Sequence, residues 1–471
     1  MALSPWGSGS VHTRSGQCRR ERRVGLLVKI AVIALGKIGL PLAVQYARKG
    51  HDVVGVDVNA DTVATVNAGR EPFPGEAHLA KYLGEAVTAG TLRATTSYAD
   101  AVAAADTVVV VVPLFVDGAG LPDFAWMDAS TRDIGRHLTP GTLVSYETTL
   151  PVGTTRTRWK PMLEAESGLQ EGVDFWVVFS PERVLTGRVF ADLRRYPKVV
   201  GGLSAEGTRR AVEFYELVLD FDDRPDLPRG NGVWDIGSAE GAELTKLAET
   251  TYRDVNIGLA NQFARYADSA GIDVYEVIEA ANSQPYSHIH RPGIAVGGHC
   301  IPVYPQLYLW TDPDAEIVSA ARRANSAMPG YAVSRLAKAY GDLRGAKVVV
   351  LGATYRGGVK ETAFSGVFPV VDALRAAGAE PVVHDPLYDD DELRQLGFMP
   401  YHLGQSVDAA IVQADHEIYR RLGSADLPGV AVVLDGRRVL DPSNWGSTVH
   451  LILGSGSEDR SLEEVSVTPV P

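Results

Sequence analysis

The chain is nearly without cysteine. Cys18 and Cys300 are the only two in 471 residues. That excludes a disulfide scaffold and a cysteine-rich zinc site, gives no reason to expect a metal, and fits a reducing cytoplasm. It leaves Cys300 as either a small core residue or a nucleophile. An excess of positive charge is also lacking: 45 Lys and Arg against 58 Asp and Glu leave a formal net charge of -13. Nucleic acids and anionic membranes favour a basic face, so neither is an expected partner. A negatively charged substrate stays compatible, because a local basic site can sit in an acidic protein. No apolar run approaches the ~20 residues that cross a bilayer. A secretory signal is missing too. Arg14, Arg19, Arg20, Arg22 and Arg23 are followed only by the short stretch 24–27, whereas a signal needs about 7–15 apolar residues after its charges. Residues 1–27 therefore read as a disordered basic tail or an over-long translation start. The Ser-, Glu- and Pro-rich stretch 454–471 reads as a second disordered tail.

What is present is ordinary globular material, 45% hydrophobic and 22% charged, at a length that suggests roughly three domains of about 150 residues. Short apolar runs alternate with helical stretches, the mark of a buried parallel sheet. The runs are VKIAVIA (28–34), DVVGVDV (52–58), TVVVVVP (107–113), TLVSY (142–146), FWVVF (175–179) and 198–200. A second set begins at KVVVLGA (347–353) and continues through a helix near 366–378, EPVVHD (380–385), AAIVQA (409–414) and VAVVLDG (430–436). Between the sets, 238–271 is long, proline-free and apolar at helical spacing, with Ser238 as its cap and Glu240 in its first turn. The expected fold is α/β: two Rossmann-like parallel-sheet domains, 28–236 and 331–453, joined by a helical section over 237–330. The long helix is a candidate homodimer surface.

The first strand runs into Ala34-Leu35-Gly36-Lys37-Ile38-Gly39. A dinucleotide turn reads G-x-G-x-x-G; here the second and third glycines are present and the first is alanine. The second glycine lets the backbone approach a pyrophosphate at the helix N-terminus. Asp57, ending the next strand, is placed to accept ribose hydroxyls and to repel a 2′-phosphate, which favours NAD over NADP. Alanine at 34 fits such a turn if its φ is negative. The plainer alternative is a glycine turn in an α/β domain that binds no nucleotide.

Cys300 lies in VGGHCIPVYP (296–305), where Gly297 and Gly298 can hold its sulfur on a tight, exposed loop. Together with FSPERVLTG (179–187), AELTKLAETTYRDVN (242–256) and VVLGATYRG (349–357), in that order, this segment resembles the UDP-glucose/GDP-mannose dehydrogenase family from about 28 to about 445. The E-R-V-L-x-G form is most similar to its UDP-N-acetyl-D-mannosamine dehydrogenase branch. The resemblance implies a four-electron oxidation. NAD takes a hydride from the C6 alcohol of a UDP-sugar, and Cys300 adds to the resulting aldehyde. A second NAD oxidises the thiohemiacetal to a thioester, and water releases a uronic acid. It further implies that Lys246 supplies positive charge to the developing alkoxide and that Glu182 positions or deprotonates the water. Thr149, in ETTLPVGTT (147–155), would border the nicotinamide. Arg183, Val184, Arg253, Gly297, Tyr355, Arg356 and Arg437 would contact the nucleotide sugar, arginine suiting a diphosphate by its bidentate fork. His299 reads as a structural neighbour.

The chain departs from the family pattern at five places. Ala34 replaces the first glycine. Leu114 follows Val112-Pro113 where threonine is usual, and Thr250 stands where asparagine is usual, still able to donate one hydrogen bond to an oxyanion. Tyr304 stands where an aspartate is usual, and Ala363 where an arginine is usual. Two other readings stay open. A two-electron alcohol dehydrogenase of related fold is favoured by Tyr304 and opposed by Cys300. A non-catalytic nucleotide-sugar-binding homologue would be expected to have lost Lys246 or Cys300.

Overall fold

A computed structural model describes residues 27–118 and 120–456. Cys18, the first expected tail up to residue 26 and most of the second lie outside the described residues. The described chain separates into two compact units, one of residues 27–115 and 123–246, the other of residues 116–118, 120–122 and 247–456. The division falls inside the long helix, Ala239–Ala270, so by compactness the helical section expected over 237–330 is shared between the units.

The first unit is built on β1 (Lys29–Ile33), β2 (Asp52–Val56), β3 (Leu92–Thr95) and β4 (Thr107–Val110). A small hairpin, β5 (Phe115–Val116) and β6 (Pro122–Asp123), interrupts the series. It resumes with β7 (Leu143–Tyr146), β8 (Trp176–Phe179), β9 (Lys198–Gly202) and β10 (Val233–Asp235). The sheet order is β10-β9-β8-β7-β4-β1-β2-β3. The β-branched runs of β1, β4, β7 and β8 are buried almost throughout, because helices cover both faces and leave no solvated side to alternate towards. Strand order reverses between β1 and β4, which leaves a crevice at their carboxyl ends where ligands of such sheets bind. One pair breaks the parallel rule: β9 runs antiparallel to β8, with Val178 opposite Gly202 and Phe179 opposite Gly201.

The second sheet comprises β11 (Lys347–Leu351), β12 (Glu380–His384), β13 (Ala409–Val412), β14 (Val432–Asp435) and β15 (Val449–Ile452). It is parallel throughout, in the order β12-β11-β13-β14-β15. The expected helix near 366–378 is Val367–Ala376, and the long helix starts as expected, Ser238 accepting a hydrogen bond from Gly241 N. The chain stays anchored past the start of the expected second tail: Gly454 N and Gly456 N both donate to Asp268. Among the described residues no helix is long and apolar enough to cross a membrane.

Candidate active site

In the first unit, β1 ends in the glycine turn. Leu35 N donates to Asp57 Oδ2 at 2.9 Å, which ties the turn to the end of β2. A methyl at Gly36 would meet nothing within 4 Å, whereas one at Gly39 would collide with the Ala34 carbonyl oxygen. The two glycines therefore differ in purpose. Gly36 leaves an open approach to the backbone, and Gly39 lets the following helix, Gly39–Arg48, start against the turn. Lys37 is exposed, and Ile38 caps that helix while packing on the core. An open backbone cradle, a helix N-terminus and a half-buried carboxylate at the end of the next strand fit a dinucleotide's pyrophosphate and ribose. The expectation for Ala34 is corrected: its φ is +75°. The left-handed turn is kept without glycine, against a steric cost of about 1–2 kcal/mol.

Thr149 is buried on the loop after β7. Glu243, buried on the long helix, fastens that loop by accepting from Gly153 N, Thr155 N and Thr155 Oγ1. Burial pushes the Glu243 carboxyl up to about 7. One helical turn on is Lys246, which is buried and acts electrostatically on Glu182. Glu182 itself ends the β8 side of a charge cluster. Lys198 Nζ lies 2.9 Å from Glu182 Oε2 and 2.6 Å from Glu147 Oε2. Glu147 Oε1 accepts from Tyr215 at 2.6 Å. Despite burial, Lys198 holds the Glu182 carboxyl below its ordinary value, while burial pushes Glu147 up to about 7. Arg183 N donates to Glu182 Oε1, and its guanidinium donates to Pro197 O. Val184 packs on the core. The loop carrying all three is clamped by Glu76, which accepts from Gly187 N and Val189 N.

In the second unit, the segment before Cys300 is stitched to the long helix. Asn256 accepts from His290 N, and Asn261 accepts from Gly293 N. Buried Asp254 pairs with Arg322, which also donates to Ile301 O. Gly298, at φ +90°, donates to Ala363 O. A methyl at Gly297 would lie 2.7 Å from Tyr355 Cβ, so only glycine lets this loop lie against the tyrosine. Cys300 follows, exposed, its carbonyl accepting from Tyr304 N at the start of helix Tyr304–Thr311. His299 sits 3.4 Å from Glu361. Beside this loop is a pocket lined by Arg253, Arg291, Gly293, Gly297, Tyr355 and Arg437 among others. Arg437 is fixed by donating to Gln413 O and Ala295 O, and a methyl at Gly293 would lie 2.9 Å from its Nη1. Arg253 and Arg291 have no carboxylate salt-bridge partner among the described residues, so they face the pocket uncompensated.

Of the residues expected to contact a nucleotide sugar, the pocket thus unites Arg253, Gly297, Tyr355 and Arg437. Arg356 does not line it; it is exposed, 5.8 Å from the Tyr355 ring. Thr250 is buried with its hydroxyl donating to Leu247 O at 3.1 Å, so serving an oxyanion requires that bond to break. The sequence reading passed over Arg291, Glu147 and Lys198. Arg291, in HIHRPG (288–293), shared a glycine-flanked loop with no motif to mark it. Glu147 and Lys198 are single charges at the ends of apolar strands, and that oddity was the only available signal.

Three sequence profiles of the UDP-glucose/GDP-mannose dehydrogenase family match the chain. They are the NAD binding domain at residues 28–219, the central domain at 240–327 and the UDP binding domain at 349–442. The UDP-N-acetyl-D-mannosamine dehydrogenase of Pyrococcus horikoshii is 33% identical over 423 residues, covering 88% of this chain and 96% of the relative. The solved structure of the P. horikoshii UDP-D-ManNAc dehydrogenase covers 91% of this chain and 100% of its own, with TM-score 0.79 and 31% identity. The solved UDP-glucose dehydrogenase of Pyrobaculum islandicum covers 91% and 98%, with TM-score 0.78 and 28% identity.

Proposed function

This chain belongs to the UDP-glucose/GDP-mannose dehydrogenase family, and we propose that it oxidises the C6 alcohol of a UDP-N-acetylhexosamine to the uronic acid through Cys300. It is an NAD-dependent nucleotide-sugar dehydrogenase; the sugar and the covalent route are what the proposal adds. The observation that carries it is the pocket beside the cysteine loop. Arg253 and Arg291 bring uncompensated positive charge there in a protein of net charge -13, and arginine forks match a diphosphate bidentately. Cys300 lies three residues beyond Gly297, which lines that pocket.

NAD would be held by the Gly36 turn and Asp57, and when bound it supplies the two-electron acceptor for each oxidation. The chain's own residues account for the remaining chemistry. Lys246 offers positive charge to the alkoxide that forms as the alcohol loses its proton. The Cys300 sulfur adds to the aldehyde carbon, making a C–S bond and a thiohemiacetal hydroxyl. Oxidation of that carbon leaves a thioester. Glu182, kept ionised by Lys198 and Lys246, takes a proton from the attacking water; the C–S bond breaks, and the carboxylate leaves with Cys300 restored as a thiol. N-acetylhexosamine is favoured over hexose by the E-R-V-L-x-G form of the Glu182 loop and by the names of relatives that match most of the chain. A homodimer through the long helix, where Tyr252, Leu259, Phe263 and Tyr266 are exposed, accompanies this reading.

The test is NADH release from a panel of UDP-hexoses and UDP-N-acetylhexosamines with product counted per turnover. Two NADH per carboxylate, with carboxylate formation abolished by Cys300→Ala, is the expected result. One NADH with a trappable aldehyde would instead establish the two-electron reading, in which Tyr304 and the engaged Thr250 hydroxyl cut the route short.

A further inference from the structure

The antiparallel strand β9 has one chemical consequence. β7 and β8 are parallel and end side by side, Glu182 N donating to Glu147 O across their carboxyl ends. A parallel β9 would bring its last residue to that end. Running the other way, it brings its first, Lys198, whose ammonium bridges the two carboxylates. The side chains are graded in exposure: Glu147 0%, Lys198 4%, Glu182 10%. Glu182 alone has a path to a reactant, and Glu147 is a closed end.

The charged and titratable groups that act most strongly at the Glu147 end come from four elements. Lys198 comes from β9, Glu182 from the loop after β8, Tyr215 from helix Ala205–Val218 and Tyr46 from helix Gly39–Arg48. Tyr215 donates to Glu147 and is itself paired with Ser145, both buried. Lys246 acts on Glu182. Two buried carboxylates therefore share one ammonium at the dry end, where desolvation disfavours a second uncompensated negative charge.

We propose that Glu147 is the proton store for Glu182, with Lys198 as the relay between them. The inference rests on the assignment of Glu182 as the base that activates water. When Glu182 takes a proton from the water that attacks the thioester, its O–H proton passes to Lys198 Nζ as Lys198 passes one of its own to Glu147 Oε2. One water O–H bond is broken, one Glu147 O–H bond is made, Lys198 remains an ammonium and Glu182 returns to a carboxylate. No electrons move. The store empties by the reverse path, since the Tyr215–Ser145 branch is buried. Glu147 and Lys198 are thus positioning residues that act through Glu182. Burial pushes the Glu147 carboxyl up to about 7, so near neutrality it is partly ionised, able to take up the proton and to give it back.

The test uses the full chain and Glu147→Gln, which is isosteric and keeps acceptors for Tyr215 and Lys198. Infrared titration of the resting protein needs no substrate. A carboxyl band that titrates near pH 7 is expected in the wild type, absent in Glu147→Gln and moved to lower pH in Glu182→Gln, where Glu147 no longer shares Lys198 with a second carboxylate. A band that persists in Glu147→Gln, is unmoved in Glu182→Gln or is missing from the wild type overturns the proposal. In turnover, Glu147→Gln should slow thioester hydrolysis by about tenfold or more, remove the acid limb near neutral pH and leave aldehyde formation unchanged. Equal slowing of both steps, with the limb intact, would mark Glu147 as structural and overturn the relay. Absence of NADH from every UDP-sugar would sink the dehydrogenase reading by a separate observation, and the infrared result would still locate the proton.

Discussion

The two parallel sheets repeat one local geometry and use it for opposite ends. In the first, Ala34 N donates to Val56 O and Leu35 N to Asp57 Oδ2. In the second, Gly352 N donates to His384 O and Ala353 N to Asp385 Oδ2. The turn after the first strand and the carboxylate after the second correspond hydrogen bond for hydrogen bond. They part at the next residue. The first sheet has Gly36, open to solvent; the second has Thr354, fully buried, its hydroxyl bonded to His416. Asp57 is half-buried and accepts from Asn59 N, as Asp385 accepts from Leu387 N; Asp385 is buried and accepts also from Thr354 N and His416. The same strand-end carboxylate can thus be left for a ligand or consumed by the fold. The second sheet then sends its residues elsewhere: a loop from Tyr355 to the helix at Val367 replaces the tight turn, and Tyr355 reaches the Gly297–Gly298 loop.

Removing each carboxylate breaks the comparison most directly. Asp385→Ala strands three backbone N–H groups, those of Ala353, Thr354 and Leu387, together with His416, so a loss of about 3–5 kcal/mol is expected. Asp57→Ala releases Asn59 N, which solvent reaches, and the N–H of buried Leu35, and should cost less, about 1–2 kcal/mol. Its effect should appear in cofactor choice, as reduced discrimination against NADP when the charge that repels a 2′-phosphate is gone. Urea denaturation and paired titrations with NAD and NADP read both. Equal destabilisation by the two substitutions would show that the carboxylates do the same job.

Gly36→Val sharpens the comparison from the ligand side. Because a side chain at 36 meets open space, the fold should barely respond. NAD affinity should fall roughly 100-fold, the equivalent of losing one or two charge-assisted hydrogen bonds to a pyrophosphate. Calorimetric binding alongside a melting curve separates the two effects. A melting point that drops as far as the affinity does would mean Gly36 serves packing, as Gly39 does.

Much of this was legible where chemistry is written locally. Gly36, Gly39, Asp57 and the Gly297–Cys300 loop each occupy a short segment whose residue types state a backbone demand. Most buried strands announced themselves as β-branched runs. β3, with the alternating burial of an edge strand, and the short β15 did not. What stayed hidden depends on direction and long-range pairing. Nothing in 198–202 says that the strand runs antiparallel, so nothing predicts that Lys198 meets Glu147 and Glu182. Arg291 became a pocket residue only because Asn256 and Asn261, on a helix more than thirty residues earlier, hold its loop. Arg356 adjoins Tyr355 in sequence and lies 5.8 Å from its ring, yet only Tyr355 lines the pocket.

The smallest expected effect tests the one position where the two turns differ in residue but agree in backbone. Ala34 and Gly352 both follow the first strand of their sheet at positive φ, +75° and +108°. A methyl at 352 would collide with Ala414, so glycine there answers to packing as well as to φ. At 34 the methyl is accommodated and only the left-handed strain remains. Ala34→Gly should relieve about 1–2 kcal/mol of that strain and lose about 0.4–1 kcal/mol to the greater freedom of the unfolded chain, for a net gain of about 0.5 kcal/mol. A rise of a degree or two in melting temperature, with NAD affinity unchanged, is therefore expected. A fall in stability would mean that the Ala34 methyl makes contacts outweighing the strain. A rise in NAD affinity would mean that the alanine is holding the turn away from the geometry the cofactor needs.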